Sequence, residues 1–135
     1  METQWDVVRL EIDDSIGVVT LDHPPLNVLG EAVLKQLDKV IDAWQEADVR
    51  AVVLRSASDK AFAAGADIHQ FPELTKMSGI ELLEKGKRTF DKLTEGKAPV
   101  ICAVHGLALG AGLELALACD ILVAYHSAKF ILPDT

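Results

Sequence analysis

The chain reads as an α/β fold with mostly parallel strands. Three observations predict it. Short apolar runs, alternating or rich in β-branched residues, fall at 8–12, 16–21, 51–54, 100–104 and 121–124. Stretches with helical spacing fall between them, at 31–44, around 80–93 and at 113–118. The resulting order is β-β-α-β-α-β-α-β.

Each element has its own local warrant. Val8, Leu10 and Ile12 alternate with Arg9 and Glu11, the pattern of a half-buried strand. Asp13-Asp14-Ser15 is a turn, and a second strand runs from Ile16 to Leu21. His23-Pro24-Pro25 breaks the pattern and opens a loop. Leu34, Leu37, Val40, Ile41 and Trp44 recur at helical spacing. The run 51–54 is a buried strand ahead of Arg55. Phe62-Ala63-Ala64-Gly65-Ala66-Asp67 forms a loop of small residues. Ser78-x-x-Glu81 is a capping box for a helix with the stripe Ile80, Leu83, Phe90 and Leu93. Lys97-Ala98-Pro99 ends that helix. A strand at 100–104, a helix at 113–118 and a strand at 121–124 follow, and Phe130 and Ile131 start one more strand before Pro133. Similar β-then-α units recur, but no repeat is visible residue by residue.

A length of 135 residues fits one domain spanning 1–135, and half the residues are hydrophobic while a quarter are charged, a globular composition. With 21 acidic against 13 basic residues the net charge is −8. That argues against a general grip on nucleic acid or on an acidic membrane surface, both of which need a basic field. The charge is uneven: residues 1–50 carry four basic and eleven acidic groups, a net of −7. Between Lys76 and Lys97 six bases mix with four acids. This run is either a solvated helix face or a landing site for a small polyanion. Cys102 and Cys119 form no CxxC pair, so a zinc site is unsupported and reduced, buried thiols of a cytoplasmic protein are expected. The acidic start Met1-Glu2-Thr3 does not read as a signal peptide, and none is expected. The stretch 101–119 has the length of a membrane span, but Gly106, Gly110, Gly112 and Glu114 interrupt it. A buried strand, a tight glycine turn and a buried helix suit it better.

Two glycine-containing loops each follow a strand and precede a helix: Ala63-Ala64-Gly65-Ala66-Asp67, and Gly110-Ala111-Gly112. A helix start leaves backbone N–H groups unpaired, and the helix dipole adds positive charge there. Two such groups aimed at one point would make an oxyanion hole. Neither loop is a GxGxxG or a Walker loop, and glycine turns of this kind also serve purely structural ends. Glu114 lies among Leu113, Leu115, Ala116 and Leu117. If buried there it suits a general acid or base; on an amphipathic helix it would simply face solvent. Asp134, 20 residues on, reads by itself as a turn residue, although two carboxylates at the ends of adjacent elements can face one pocket. His23, His69, His105 and His126 lack a Ser or Cys partner at a nucleophile turn, so structural or surface roles are expected.

These motifs together resemble the crotonase (enoyl-CoA hydratase/isomerase) superfamily. Lys60-Ala61-Phe62-Ala63-Ala64-Gly65-Ala66-Asp67-Ile68 resembles its first signature, PVICAVHGLALGAGLELALACDILVA from Pro99 to Ala124 its second, and His23-Pro24-Pro25-Leu26-Asn27-Val28-Leu29 its early loop. They occur in the family's order over the whole chain. The resemblance implies a spiral of ββα turns, assembly as trimers or pairs of trimers, acyl-CoA thioester substrates, and no metal or redox cofactor, coenzyme A being part of the substrate.

Residue by residue, the Ala66 N–H aligns with one oxyanion donor and the Ala111 N–H with the other, where glycine is common. Glu114 aligns with the first catalytic carboxylate and Asp134 with the second, usually Glu. Ala64, Gly65, Asp67, Ile68, Leu26 and Gly110 fall at positions expected to line the thioester and coenzyme A. His69 stands where a Lys often helps hold CoA phosphate. The implied reaction is hydration of a 2-enoyl-CoA. An enoyl-CoA isomerase, or a non-catalytic module that binds CoA thioesters, are the alternatives. Members of the family continue past this length. A chain truncated before the next spiral turn and the C-terminal helices is therefore expected, with an exposed sheet edge prone to association.

Overall fold

A computed structural model describes residues 2–4, 6–65 and 76–132. Its strands are β1 (Glu2–Gln4), β2 (Val8–Asp13), β3 (Ile16–Leu21), β4 (Ala51–Ser56), β5 (Ala61–Ala63), β6 (Val100–Val104), β7 (Leu107–Leu109), β8 (Ile121–Ala124) and β9 (Lys129–Ile131). Its helices are α1 (Glu31–Glu46), α2 (Lys76–Glu95) and α3 (Ala111–Leu117). Six strands form one sheet in the order β1-β2-β3-β4-β6-β8, and three form a second in the order β5-β7-β9. Among the described residues only the pairs β1–β2 and β2–β3 are antiparallel; every other strand pair is parallel. The chain thus repeats one move: a strand in the large sheet, a strand in the small sheet, then a helix. This is the ββα spiral that the resemblance implies, and β4-β5-α2 and β6-β7-α3 are two of its turns.

The strand pattern at 8–12 holds: Val8 and Leu10 are buried, while Glu11 is exposed. Asp13 pairs with Ile16, leaving Asp14 and Ser15 as a two-residue turn with φ of 52° and 67°. Positive φ at both positions matches the twist of a tight hairpin. α1 buries Val33, Leu34, Leu37, Val40, Ile41 and Trp44. All but Leu34 pack in one core with Val8, Leu10, Val19, Leu21, Val52 and Leu54 of the large sheet.

α2 departs from the expected reading in two ways. It already runs from Lys76, so Ser78 is inside the helix rather than capping it. Only the C-terminal half of the expected stripe faces inward: Leu93 is buried and Phe90 packs against the core. Ile80 and Leu83 are exposed, Leu83 by 76%, whereas Gly86, Thr89 and Leu93 are buried. α1 decides this: Gly86 sits against the Leu34 side chain, and the Thr89 hydroxyl lies 3.5 Å from Asp38 Oδ1. A helix buries the side that faces its packing partner, whatever apolar residues stand elsewhere.

The charge run on α2 is mostly a solvated face, but Lys92 is committed to α1. Its Nζ donates to Asp42 Oδ1 at 2.7 Å and to Asp38 Oδ1 at 3.0 Å. Partial burial lowers the Lys92 pKa; hydrogen bonds to Asp42 and Asp38 and their charges raise it more, and it ends above the ordinary lysine value of 10.5. A cation whose folded pKa is raised contributes stability fully below its unfolded pKa and loses it as pH climbs through the folded value. Lys92→Met is expected to cost about 1 kcal/mol or less near pH 7, the scale of partly exposed pairs. In urea titrations from pH 7 to 11, the gap between parent and variant should hold to about pH 10 and close above it. A gap that widened with pH would contradict the pairing.

Both sheets end in an apolar edge. β8 is exposed along its length at Ile121, Leu122 and Val123, and β9 at Phe130 and Ile131. Among the described residues no helix is long and apolar enough to cross a membrane. Over 101–119 the chain forms instead a buried strand, a short strand and a helix.

Candidate active site

The small sheet sets the site. β5 and β7 run parallel, with Ala61 beside Leu107 and Ala63 beside Ala108. Parallel neighbours release their following loops at the same, C-terminal, end of the sheet. The two glycine loops of the sequence are therefore neighbours in space.

On the β7 side, Gly110 adopts φ 56° and ψ −117°, a conformation open essentially to glycine alone. Its carbonyl accepts the Glu114 N–H at 3.0 Å, closing the first turn of α3, and its N–H donates to the Ile131 carbonyl at 3.0 Å. α3 then lies directly on β5. A Cβ on Gly112 would sit 2.0 Å from the Ala63 carbonyl oxygen, so only glycine permits this approach. On the β5 side, a Cβ on Gly65 would lie 3.2 Å from the Ala111 nitrogen. The chain leaving β5 thus meets the first residue of α3. The Ala111 N–H belongs to the first helical turn, where no intrahelical acceptor exists. Among the described residues it has no other protein acceptor.

Glu114 stands one turn beyond Ala111 and is exposed. The buried alternative is thereby corrected. α3 turns Gly112, Leu113, Leu115 and Ala116 inward, which leaves Glu114 and Leu117 on its outer face, Leu117 with 67% of its surface exposed. The carboxylate also lies in the first turn, where the positive end of the helix dipole favours it.

The early loop completes the surroundings. Val28 bridges to Ala64 in parallel fashion, and the Leu29 N–H donates to the Ala64 carbonyl at 3.0 Å. Half-buried Leu26 lies on this loop. Leu26, Ala64, Gly65, Gly110, Ala111 and Glu114 therefore belong to one region. Ala66, Asp67, Ile68, His69 and Asp134 lie outside the described residues.

Behind these loops lies a polar cluster that sequence reasoning misses. The Asn27 Nδ2 donates to Ser56 Oγ at 2.7 Å and to the Phe62 carbonyl at 2.9 Å, and its Oδ1 accepts the His23 N–H at 2.7 Å. Ser56 Oγ donates to the Ala61 carbonyl at 2.7 Å and accepts the Ser58 N–H at 3.0 Å. The one signal for it is an asparagine inside the apolar run Leu26-Asn27-Val28-Leu29. His105 joins the same structure through Ser58, its Nε2 meeting the Ser58 carbonyl, while His23 and His126 are exposed. A cavity of about 260 Å³ lined by Trp44, Asp48, Glu95 and Lys97 lies at the C-terminal ends of α1 and α2 and includes none of the candidate residues.

Comparison with known proteins identifies the family and the fold. The family described as Enoyl-CoA hydratase/isomerase matches residues 11–135. A short-chain-enoyl-CoA hydratase of Clostridium acetobutylicum is 40% identical over 129 residues, covering 94% of this chain and 49% of the relative. A mitochondrial enoyl-CoA hydratase of Pongo abelii is 35% identical over 90% of this chain and 42% of its own length. The crystal structure of an enoyl-CoA hydratase from Bacillus anthracis superposes with a TM-score of 0.87 at 30% identity, covering 94% of this chain and 50% of that one. The chain spans about half the length of the curated relatives it matches.

Proposed function

The chain belongs to the enoyl-CoA hydratase/isomerase family, and from that premise we propose that it acts on a 2-enoyl-CoA thioester, adding water to give the 3-hydroxyacyl-CoA. The observation that carries this reading is the meeting of the two loops, with Gly65 against the Ala111 nitrogen. In the proposed site the N–H groups of Ala66 and Ala111 receive the thioester oxygen. Charge drawn onto that oxygen leaves Cβ electron-poor and brings an enolate-like Cα within reach. One carboxylate, Glu114 or Asp134, takes a proton from water as the water oxygen bonds to Cβ. The π electrons move toward Cα and the thioester oxygen, and the pair then returns a proton to Cα. Water is added whole and no electrons are gained or lost, so the reaction itself calls for no redox cofactor.

Loss of one oxyanion donor typically costs about 10²–10³ in rate. At Ala111 the donor is a backbone group, so alanine in place of glycine retains it. Leu26, Ala64, Gly65, Asp67, Ile68, His69 and Gly110 are proposed to line the thioester and the coenzyme A arm. Assembly as trimers or hexamers belongs to the same proposal.

The test is loss of the conjugated-enoyl absorbance of crotonyl-CoA. Consumption by this chain, with 3-hydroxybutyryl-CoA as product, is the expected result. A chain that instead gains that absorbance from a 3-enoyl-CoA, and leaves crotonyl-CoA untouched, is an isomerase. Retained thioester binding with neither reaction would replace the enzyme reading by a binding module.

A further inference from the structure

We propose that Asn27 is a positioning residue for the thioester site: its buried side-chain amide holds the backbone that delivers Gly65 to Ala111. The inference rests on the hydratase reading for its catalytic consequence, but its structural part stands alone.

Asn27 is fully buried, and its amide bonds go to backbone and to one serine. The two donated bonds reach Ser56, at the end of β4, and Phe62, in the middle of β5. The accepted bond closes its own turn onto His23. That turn is shaped for it: the Asn27 N–H donates to the His23 carbonyl at 2.9 Å, and Asn27 has φ 50°, a left-handed conformation that asparagine tolerates. The result is a series of clamped carbonyls along β5. Ala61 is held by Ser56, Phe62 by Asn27, and Ala64 by Leu29 of the same loop. Against Ala63 lies Gly112, the glycine that lets α3 approach.

β5 is therefore gripped by both the 23–29 loop and α3, and Gly65 follows two residues beyond its end. A strand of three residues has little pairing of its own to resist a shift. Asn27 acts on the proposed site through the backbone, and oxyanion donors lose their effect when displaced by about 1 Å.

The experiment compares the parent chain with Asn27→Gly, which keeps the positive φ and removes the amide, and Asn27→Asp, which keeps the acceptor for His23 and loses both donors. Ser56→Ala removes one partner and serves if the Asn27 variants do not fold. Ile41→Val in α1 is the control for loss of stability remote from the site. Amide hydrogen exchange is read at Leu29, whose N–H reports the Ala64 clamp, against Leu54 in the central sheet. Loss of the amide is expected to accelerate exchange at Leu29 by roughly tenfold more than at Leu54. Ser56→Ala should do the same to a smaller degree, and Ile41→Val should move both sites together.

On crotonyl-CoA the Asn27 variants should lose kcat by roughly 10–100-fold with KM little changed. Exchange that rises equally at both sites, or an undiminished kcat in an active chain, overturns the proposal. If the parent does not hydrate crotonyl-CoA, the hydratase reading fails, and exchange at Leu29 still decides whether Asn27 sets this backbone.

Discussion

Glu114→Gln is expected to abolish crotonyl-CoA hydration while leaving thioester binding and folding almost untouched. The substitution is isosteric, and Glu114 is exposed on the outer face of α3. Among the described residues no ion pair depends on its charge. Loss of a first-turn carboxylate removes about 0.3–1 kcal/mol of favourable interaction with the helix dipole at most. Loss of a general base or acid removes about 10²–10⁴ in rate. The large effect therefore falls on turnover alone. Unfolding midpoints, thioester titration and the absorbance assay on the same samples check it. Unchanged turnover would take Glu114 out of the mechanism.

Gly112→Ala should do the reverse and damage structure and site together. The new Cβ would stand 2.0 Å from the Ala63 oxygen and 2.5 Å from its carbonyl carbon. Both are backbone atoms, so no side chain can swing aside, and α3 must move off β5. Overpacking of this kind costs about 1–3 kcal/mol or more. The same displacement separates Gly65 from Ala111, and a shift of about 1 Å should cut turnover by about 10²-fold. Gly86→Ala on α2 is the contrasting case. Its Cβ would meet only the Leu34 side chain, at 3.6 Å. The gain in helix propensity should stabilise the chain by up to about 1 kcal/mol. Denaturant midpoints of the two variants shifting in the same direction would contradict these expectations.

The turn at Gly110 is legible in the sequence as a glycine-containing turn into a helix, and Gly65 as a glycine in a loop of small residues. Their juxtaposition is not. It depends on β5 and β7, three residues each, lying side by side. A strand that short carries no periodicity and exists only through its partners, so Phe62 and Ala63 read as part of a loop. Asn27 is legible only as one residue of the early-loop motif. Its partners Ser56 and Phe62 stand 29 and 35 residues away, and no spacing rule links them.

What the sequence by itself determined is therefore what repeats at short range. The alternation of Val8, Leu10 and Ile12, the α1 stripe, the turn at Asp14-Ser15 and the α/β order all follow from neighbouring residues. The three motifs and their order likewise mark the family. Tertiary structure decided which faces α2 and α3 bury: packing against α1 took in Gly86 and Thr89 and left Leu83 in solvent, and the approach of α3 to β5 left Glu114 outside. The physical reason is the same in both cases. Backbone conformation is set largely by a residue's near neighbours, but burial is a property of what packs opposite, and that partner lies far away in the chain.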